Sequence, residues 1–289
     1  MGEPTFTKHA GANPGQPLYE AAGLAWLAEG GARVPKVIEA TRTRLVTERI
    51  DEVAPTAEAA RQLGAMLAHL HASGAPWFGA PPPGYPDPAR HDPASGWMGA
   101  APLPLLTAPS DSASTPETAG LPEAVAPPQT TGWGHFYANY RIRPYLARTF
   151  SAAEKAEVEA LCALLETGAL DHPQPQAVRE AGFTAARIHG DLWSGNIMWG
   201  RSGPTLIDPA AQGGHAEEDL ATLHTFGAPH LAHIIAGYQE VSTLAPGWEQ
   251  RIGLHQLHIL TVHCYLFGRS YVPQTMAAVR GVPTSAALT

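Results

Sequence analysis

The clearest periodicity in the chain follows Thr56. Leu63, Met66, Leu67 and Leu70 recur at the three- and four-residue spacing of one buried helical face, and Gly74 and Pro76 close it. Residues 18–29 have helical composition and stop at Gly30-Gly31. Residues 135–150 predict a helix carrying aromatic and arginine side chains. Ser151 and Glu154 form a capping-box pair that opens a helix burying Val158, Leu161, Cys162 and Leu165, with Gly168 as its stop. Residues 247–268 are long and apolar and predict one core helix. Between these runs the pattern changes. Residues 5–8, 34–39 and 44–50 are short, rich in β-branched side chains, and predict strands. Residues 187–208 predict strand, loop, strand, turn and strand, with the turn at 200–204.

The division that follows is α+β with two unequal parts. Residues 1–51 form a reduced N-lobe of strand, helix, strand and strand, and residues 52–289 form a mainly helical C-lobe. Residues from about 79 to 131 are dense in Pro, Gly, Ala, Ser and Thr, and 107–131 has little hydrophobic periodicity. That middle stretch reads as a flexible surface insertion.

Composition narrows the class. The 289 residues are 44% hydrophobic and 15% charged, enough for a packed core in a soluble chain. A net charge of -8 with no cluster of Lys and Arg sets nucleic-acid binding aside. No stretch approaches the ~20 apolar residues of a membrane span, and the first residues lack an apolar signal core. A cytoplasmic protein is expected. Cys162 and Cys264 sit in apolar helical runs without metal spacing and read as buried free thiols.

The candidate chemistry lies in His189-Gly190-Asp191-Leu192-Trp193-Ser194-Gly195-Asn196. Asn196 follows Asp191 by five positions, and Ile207-Asp208-Pro209 comes after the predicted hairpin. This order suits phosphoryl transfer from ATP. One Asp accepts the proton of an acceptor hydroxyl, and an Asn and a second Asp hold Mg²⁺ against the phosphates. Mg²⁺ prefers hard oxygen donors, which carboxylate and amide groups supply. Lys8 and Lys36 are the lysines of the first fifty residues. Lys8 ends the first strand and precedes a helix that bears Glu20, so it is the better phosphate lysine, with Glu20 as its partner. The connector through Glu48 and Ile50 is expected either to offer groups to an adenine ring or to serve as a plain linker.

His189–Asn196 resembles the signature of the fructosamine kinase (ketosamine-3-kinase) family, which is similar in fold to aminoglycoside phosphotransferases and protein kinases. Ile207-Asp208-Pro209-Ala210 resembles its metal-binding segment. Residues 214–221, Leu266-Phe267-Gly268 with Tyr271, and Trp133, Phe136, Arg141, Arg143, Pro144 and Tyr145 resemble three further segments. The resemblance implies a two-lobed protein-kinase-like fold. It makes Asp191 the catalytic base, Asn196 and Asp208 the Mg²⁺ ligands, and Lys8 and Glu20 the phosphate lysine and its partner. It gives Asp219 a bracing role beneath the catalytic loop, and it places Trp193 and His189 at the acceptor. The implied reaction phosphorylates the sugar 3-hydroxyl of a ketosamine. The 3-phosphate is unstable, so its loss restores the amine and deglycates it. Ala216 departs from the family, which commonly has Arg there. Seven residues before Lys8 leave no room for the two strands and Gly-rich phosphate loop of such kinases. The expectation is a start further upstream or an open-topped site with weak Mg-ATP affinity.

Other readings stay open at this level. The acceptor is alternatively an aminoglycoside or amino alcohol, or the chain is a non-catalytic binding protein of kinase fold. His224, His230, His233, His255, His258 and His263 are expected to be packed histidines rather than metal ligands. Arg141 and Arg143 are equally suited to an anionic ligand and to surface ion pairs.

Overall fold

The computed structural model describes residues 4–86, 95–106, 132–146 and 149–283. The proposed insertion at 107–131 lies outside the described residues. Three strands make the small lobe: β1 (Thr5–His9), β2 (Val37–Ala40) and β3 (Arg44–Glu48), in the order β1-β3-β2 and antiparallel throughout. Between β1 and β2, α1 (Gln16–Glu29) lies against this sheet, with Leu24 beside Leu45 and Thr47, while Leu27 joins the core of the large lobe. Its start is a turn at Gly15 with Pro17 inside the first turn, where a missing N–H costs nothing.

α2 (Ala57–Ala72) begins where the periodicity placed it, with the Thr56 side chain accepting from Ala59 N–H. Next comes an element with no counterpart in the expectations. Two short strands, β4 (Gly96–Met98) and β5 (Ala101–Leu103), pair around a two-residue turn at Gly99-Ala100. The hairpin is tied to the small lobe by Asn13 Nδ2 donating to Ala100 O and Gln16 Nε2 donating to Gly99 O.

The predicted helix at 135–150 is instead a composite. α3 (Trp133–Tyr137) runs into a π-turn (Ala138–Ile142) and a short 3₁₀ turn (Arg143–Tyr145). Pro144 cannot donate a helical bond, so the chain ends its helical course there. α4 (Ala152–Glu166) carries the predicted capping box: Glu154 N donates to Ser151 Oγ and Ser151 N to the Glu154 carboxylate. α5 (Gln176–Glu180) precedes β6 (Ala186–Ile188), which pairs with β9 (Gln212–Gly214); β7 (Ile197–Gly200) and β8 (Gly203–Leu206) form a hairpin between them. The chain closes with α6 (Ala216–Phe226), α7 (Leu231–Val241), α8 (Trp248–His255), α9 (Leu257–Phe267) and α10 (Val272–Gly281).

α8 and α9 correct the single helix expected over 247–268. The break at Gln256 has a visible cause. The buried Tyr137 hydroxyl accepts from His258 N–H and lies 3.1 Å from Leu254 O and 2.9 Å from His255 O. It occupies the step at which His258 would bond to Leu254 in a continuous helix. Replacing Tyr137 by Phe leaves buried backbone groups without partners. We expect Tyr137→Phe to lower stability by about 1–3 kcal/mol, read from urea unfolding; an unchanged midpoint would remove the hydroxyl from this role.

α2 and α7 touch backbone to backbone. A Cβ on Gly64 would fall 1.9 Å from Ile234 O, and one on Gly237 would fall 2.1 Å from Arg61 O. No side chain fits at either position, and the two glycines set how closely the helices cross. Both cysteines are buried and free. Among the described residues no helix is long and apolar enough to cross a membrane.

Candidate active site

Asp219, in the first turn of α6, is fully buried and holds the loop that follows β6. Its Oδ2 accepts from His189 N–H at 2.8 Å and its Oδ1 from Gly190 N–H at 2.9 Å. Oδ2 also accepts from His71 Nε2 at 3.1 Å, and His71 Nδ1 lies 3.0 Å from the Tyr238 hydroxyl. Burial alone would raise this carboxyl. The His71 bond and the backbone donors of the loop hold it below the usual carboxylate range. His71 comes from α2 and Tyr238 from α7, so the glycine-mediated crossing of those helices delivers both groups under the loop. Neither was foreseen, because nothing in the sequence ties α2 or α7 to Asp219.

Gly190 has φ +81°, and a Cβ there would meet Ala210 O at 2.2 Å. Only glycine makes this turn at this distance. His189 was expected at the acceptor, but it is buried away from the cleft. Its Nε2 donates to Ile207 O at 2.9 Å, its Nδ1 accepts from Asp191 N–H at 3.3 Å, and burial lowers its pKa. It fastens the loop to the segment bearing Asp208.

The turn brings Asp191 to the cleft, half-buried. Asn196 Nδ2 donates to Asp191 O at 2.8 Å and reaches its Oδ2 at 3.3 Å. Burial pushes the Asp191 carboxyl up to about 7; the Asn196 bond opposes this and the charges of Asp208 and Asp219 add to it. Asp208 sits at φ +54°, an uncommon conformation for a residue with a side chain. From there its Oδ2 meets Lys8 Nζ at 3.0 Å, and Lys8 also donates to Glu20 Oε2 at 2.7 Å. The predicted pairing of Lys8 with Glu20 is thus present. Burial opposes the charge on Lys8, but Glu20 and Asp208 outweigh it and raise its pKa. Burial and then Asp208 push the Glu20 carboxyl up, with Lys8 opposing.

Three adjoining hollows run through these residues. The first is lined by Glu48, Ile50, Phe6, Pro35, Met198 and Ile207 at the edge of the small lobe. The second shares Phe6 and Ile207 with it and adds Lys8, Glu20 and Asp208. The third adds Asp191, Asn196 and Trp193, and it is closed by Trp97 and Met98 from the β4–β5 hairpin and by His263 and Phe267 from α9. Trp193 is 40% exposed, edge-on to Phe226. Its indole lies over Gly195, where a Cβ would fall 2.2 Å from the ring.

Trp97, Met98 and Gln16 were missed. A two-residue turn between short runs was the available signal, masked by the Pro and Gly around it. Arg141 and Arg143 do not face the cleft. Arg141 is buried and donates to Pro104 O, Tyr140 O and the Gln212 side chain, and Arg143 pairs with Glu159 and Glu166 on the surface.

The cleft offers oxygen donors suited to a hard cation. The Asp208 carboxylate faces the cleft, and because the Asn196 amino group is committed to Asp191, the amide oxygen is the end left for a metal. These donors fit Mg²⁺.

A two-lobed fold with an acid-lined cleft beneath a Lys–Glu pair defines a kinase-like protein. Residues 125–283 match the sequence profile described as fructosamine kinase, and the chain belongs to that family. Mouse ketosamine-3-kinase is 32% identical over 150 residues, which cover 52% of this chain and 47% of the mouse protein. The chain spans less than half the length of the curated relatives it matches. A solved structure of a candidate fructosamine-3-kinase from Thermobifida fusca is 36% identical and superposes with a TM-score of 0.76, covering 97% of this chain and 86% of that one. A second candidate, from Haemophilus somnus, shares the fold at 19% identity with a TM-score of 0.67, covering 96% and 82%.

Proposed function

We propose that the chain is an ATP-dependent kinase that phosphorylates the sugar 3-hydroxyl of ketosamines, such as ribulosyl or fructosyl adducts of lysine. One observation carries this reading: Asp191, Asp208, the Lys8–Glu20 pair and Trp193 line one groove. The nucleotide base occupies the hollow at Glu48 and Ile50. Lys8 holds the phosphates, with Glu20 keeping its ammonium in place. Asp191 orients the acceptor hydroxyl and takes its proton, and Asn196 keeps the Asp191 carboxylate turned toward the cleft. Asn196 and Asp208 hold Mg²⁺, which offsets charge on the transferring phosphoryl group when bound. Trp193 stacks on the sugar or its amine arm.

The test is turnover with labelled ATP across ribulosamine, fructosamine, choline and aminoglycoside acceptors. The proposal expects Mg²⁺-dependent transfer to a ketosamine at a kcat/KM well above the other acceptors. Preference for an aminoglycoside or amino alcohol, or no transfer at all, would overturn it. Trp193→Ala should raise the ketosamine KM about 3- to 10-fold, the scale of one stacking contact, with kcat nearly kept. An unchanged KM would take Trp193 out of the acceptor site.

A further inference from the structure

Behind the catalytic loop, three imidazoles and a carboxylate converge in the interior. Among the described residues, His172, His215, Glu217 and His255 each bring one potential ligand atom, all within 4.8 Å of one another. They come from four places in the chain: the segment after α4, the cap of α6, its first turn, and the end of α8. Trp133 covers the group, its ring centroid 4.8 Å from those of His172 and His255. We propose that this cluster is a closed, structural site for a divalent transition metal of the zinc class, separate from the cleft.

The donor set selects the metal. Imidazole nitrogen with one carboxylate suits Zn²⁺, whereas Mg²⁺ prefers oxygen. Four protein ligands leave no open position, which marks a structural site. The geometry is close to that requirement. Zinc bonds near 2.0–2.1 Å place tetrahedral ligand atoms about 3.3 Å apart. His255 Nε2 lies 3.3 Å and His172 Nε2 3.7 Å from Glu217 Oε2. The two Nε2 atoms are 2.8 Å apart and must open by about 0.5 Å.

The His172 ring and the Glu217 carboxylate are held as metal ligands are. His172 Nδ1 donates to Leu170 O, which leaves its Nε2 with a lone pair facing the group. Arg251 grips the Glu217 carboxylate in two-pronged fashion, at 2.9 and 2.6 Å, and fixes its orientation. His215 Nε2 is buried without a hydrogen-bond partner. Ligation through Nε2 would occupy that nitrogen and move the ring proton to Nδ1, giving up the long 3.2 Å bond that Nδ1 accepts from Glu217 N–H. A metal here pins the first turn of α6. The same turn carries Asp219, which holds His189 and Gly190.

The test uses the intact protein, purified without a metal-affinity step. Elemental analysis should find about one zinc per chain. Chelator-stripped protein should regain thermal stability on adding Zn²⁺ alone, and Co²⁺ should give the intense visible absorption of a tetrahedral site. His172→Gln and His255→Gln should each weaken Zn²⁺ binding by at least the ~10- to 100-fold that even a supporting residue contributes, whereas Asp208→Asn should leave it unchanged. A wild-type protein that takes up neither Zn²⁺ nor Co²⁺ at micromolar concentration would reduce the cluster to hydrogen-bonded imidazoles and overturn the proposal. So would binding that is insensitive to both histidine variants, or an octahedral Co²⁺ spectrum. Because wild-type uptake decides by itself, a variant that fails to fold does not spare the proposal.

Discussion

Asp191→Asn is expected to lower kcat by about 10²- to 10⁴-fold, the range of a lost general base. The amide has the shape of the carboxylate and cannot take the hydroxyl proton. The pH profile supplies a second signature. The Asp191 carboxyl is pushed up to about 7, chiefly by burial, and only the ionised form is a base. Wild-type kcat/KM should therefore rise as pH climbs through about 7, and the Asn variant should lose that rise. Stability gives the control. A carboxyl whose folded pKa lies above its unfolded value of ~3.9 costs nothing at low pH. As pH rises through the window ending near 7, the unfolded chain releases the proton first and the folded state loses stability. At pH 8 the Asn variant should thus melt no lower than the wild type. A variant of unchanged stability that keeps more than a tenth of wild-type kcat would exclude Asp191 as the base.

Asp208→Asn should reduce kcat/KM for Mg-ATP by about 10³-fold, since charge neutralisation at a transferring phosphoryl group supplies several kcal/mol. The Mg²⁺ concentration giving half-maximal rate should rise with it. The substitution suits the backbone, because Asn tolerates the left-handed conformation that Asp208 adopts at φ +54°. The 2.7 Å bond from Lys8 to Glu20 does not involve Asp208 and is expected to hold the lysine in the variant. A lysine displaced from the cleft is therefore not the source of the loss. A variant with near wild-type rates and the same Mg²⁺ dependence would move the metal site away from Asp208.

Much of the cleft was legible in the sequence because its parts are close along the chain or sit at fixed offsets within regular elements. Asp191 and Asn196 share one turn, and a single hairpin carries the chain from Asn196 back to Asp208. Lys8 and Glu20 lie on a strand and the helix that follows, so two short elements suffice to bring them together. Where expectation failed, the cause was a partner distant in sequence. The run 247–268 read as one long apolar helix, yet the hydroxyl of Tyr137 splits it at Gln256. His189 had the residue type for a substrate contact, yet Ile207 O claims its ring.

The six histidines weighed along the chain included one member of the buried cluster, His255. Its companions were invisible as a group, because the spacing from His172 to His215 to His255 matches no short metal motif. The sequence alone determined the helical and strand periods, the capped starts of α2 and α4, and the grouping of Asp191, Asn196 and Asp208 in one stretch of chain. Those features depend on neighbours within a few residues. The tertiary structure alone decided which groups stand behind that loop: the Tyr238–His71–Asp219 chain, the hairpin wall of Trp97 and Met98, and the imidazoles around Glu217. Each needs helices or strands distant in sequence to pack at one angle and depth, set by close contacts such as those at Gly64 and Gly237. Hydrophobic period reports which face of an element is buried; it carries no record of what that face meets.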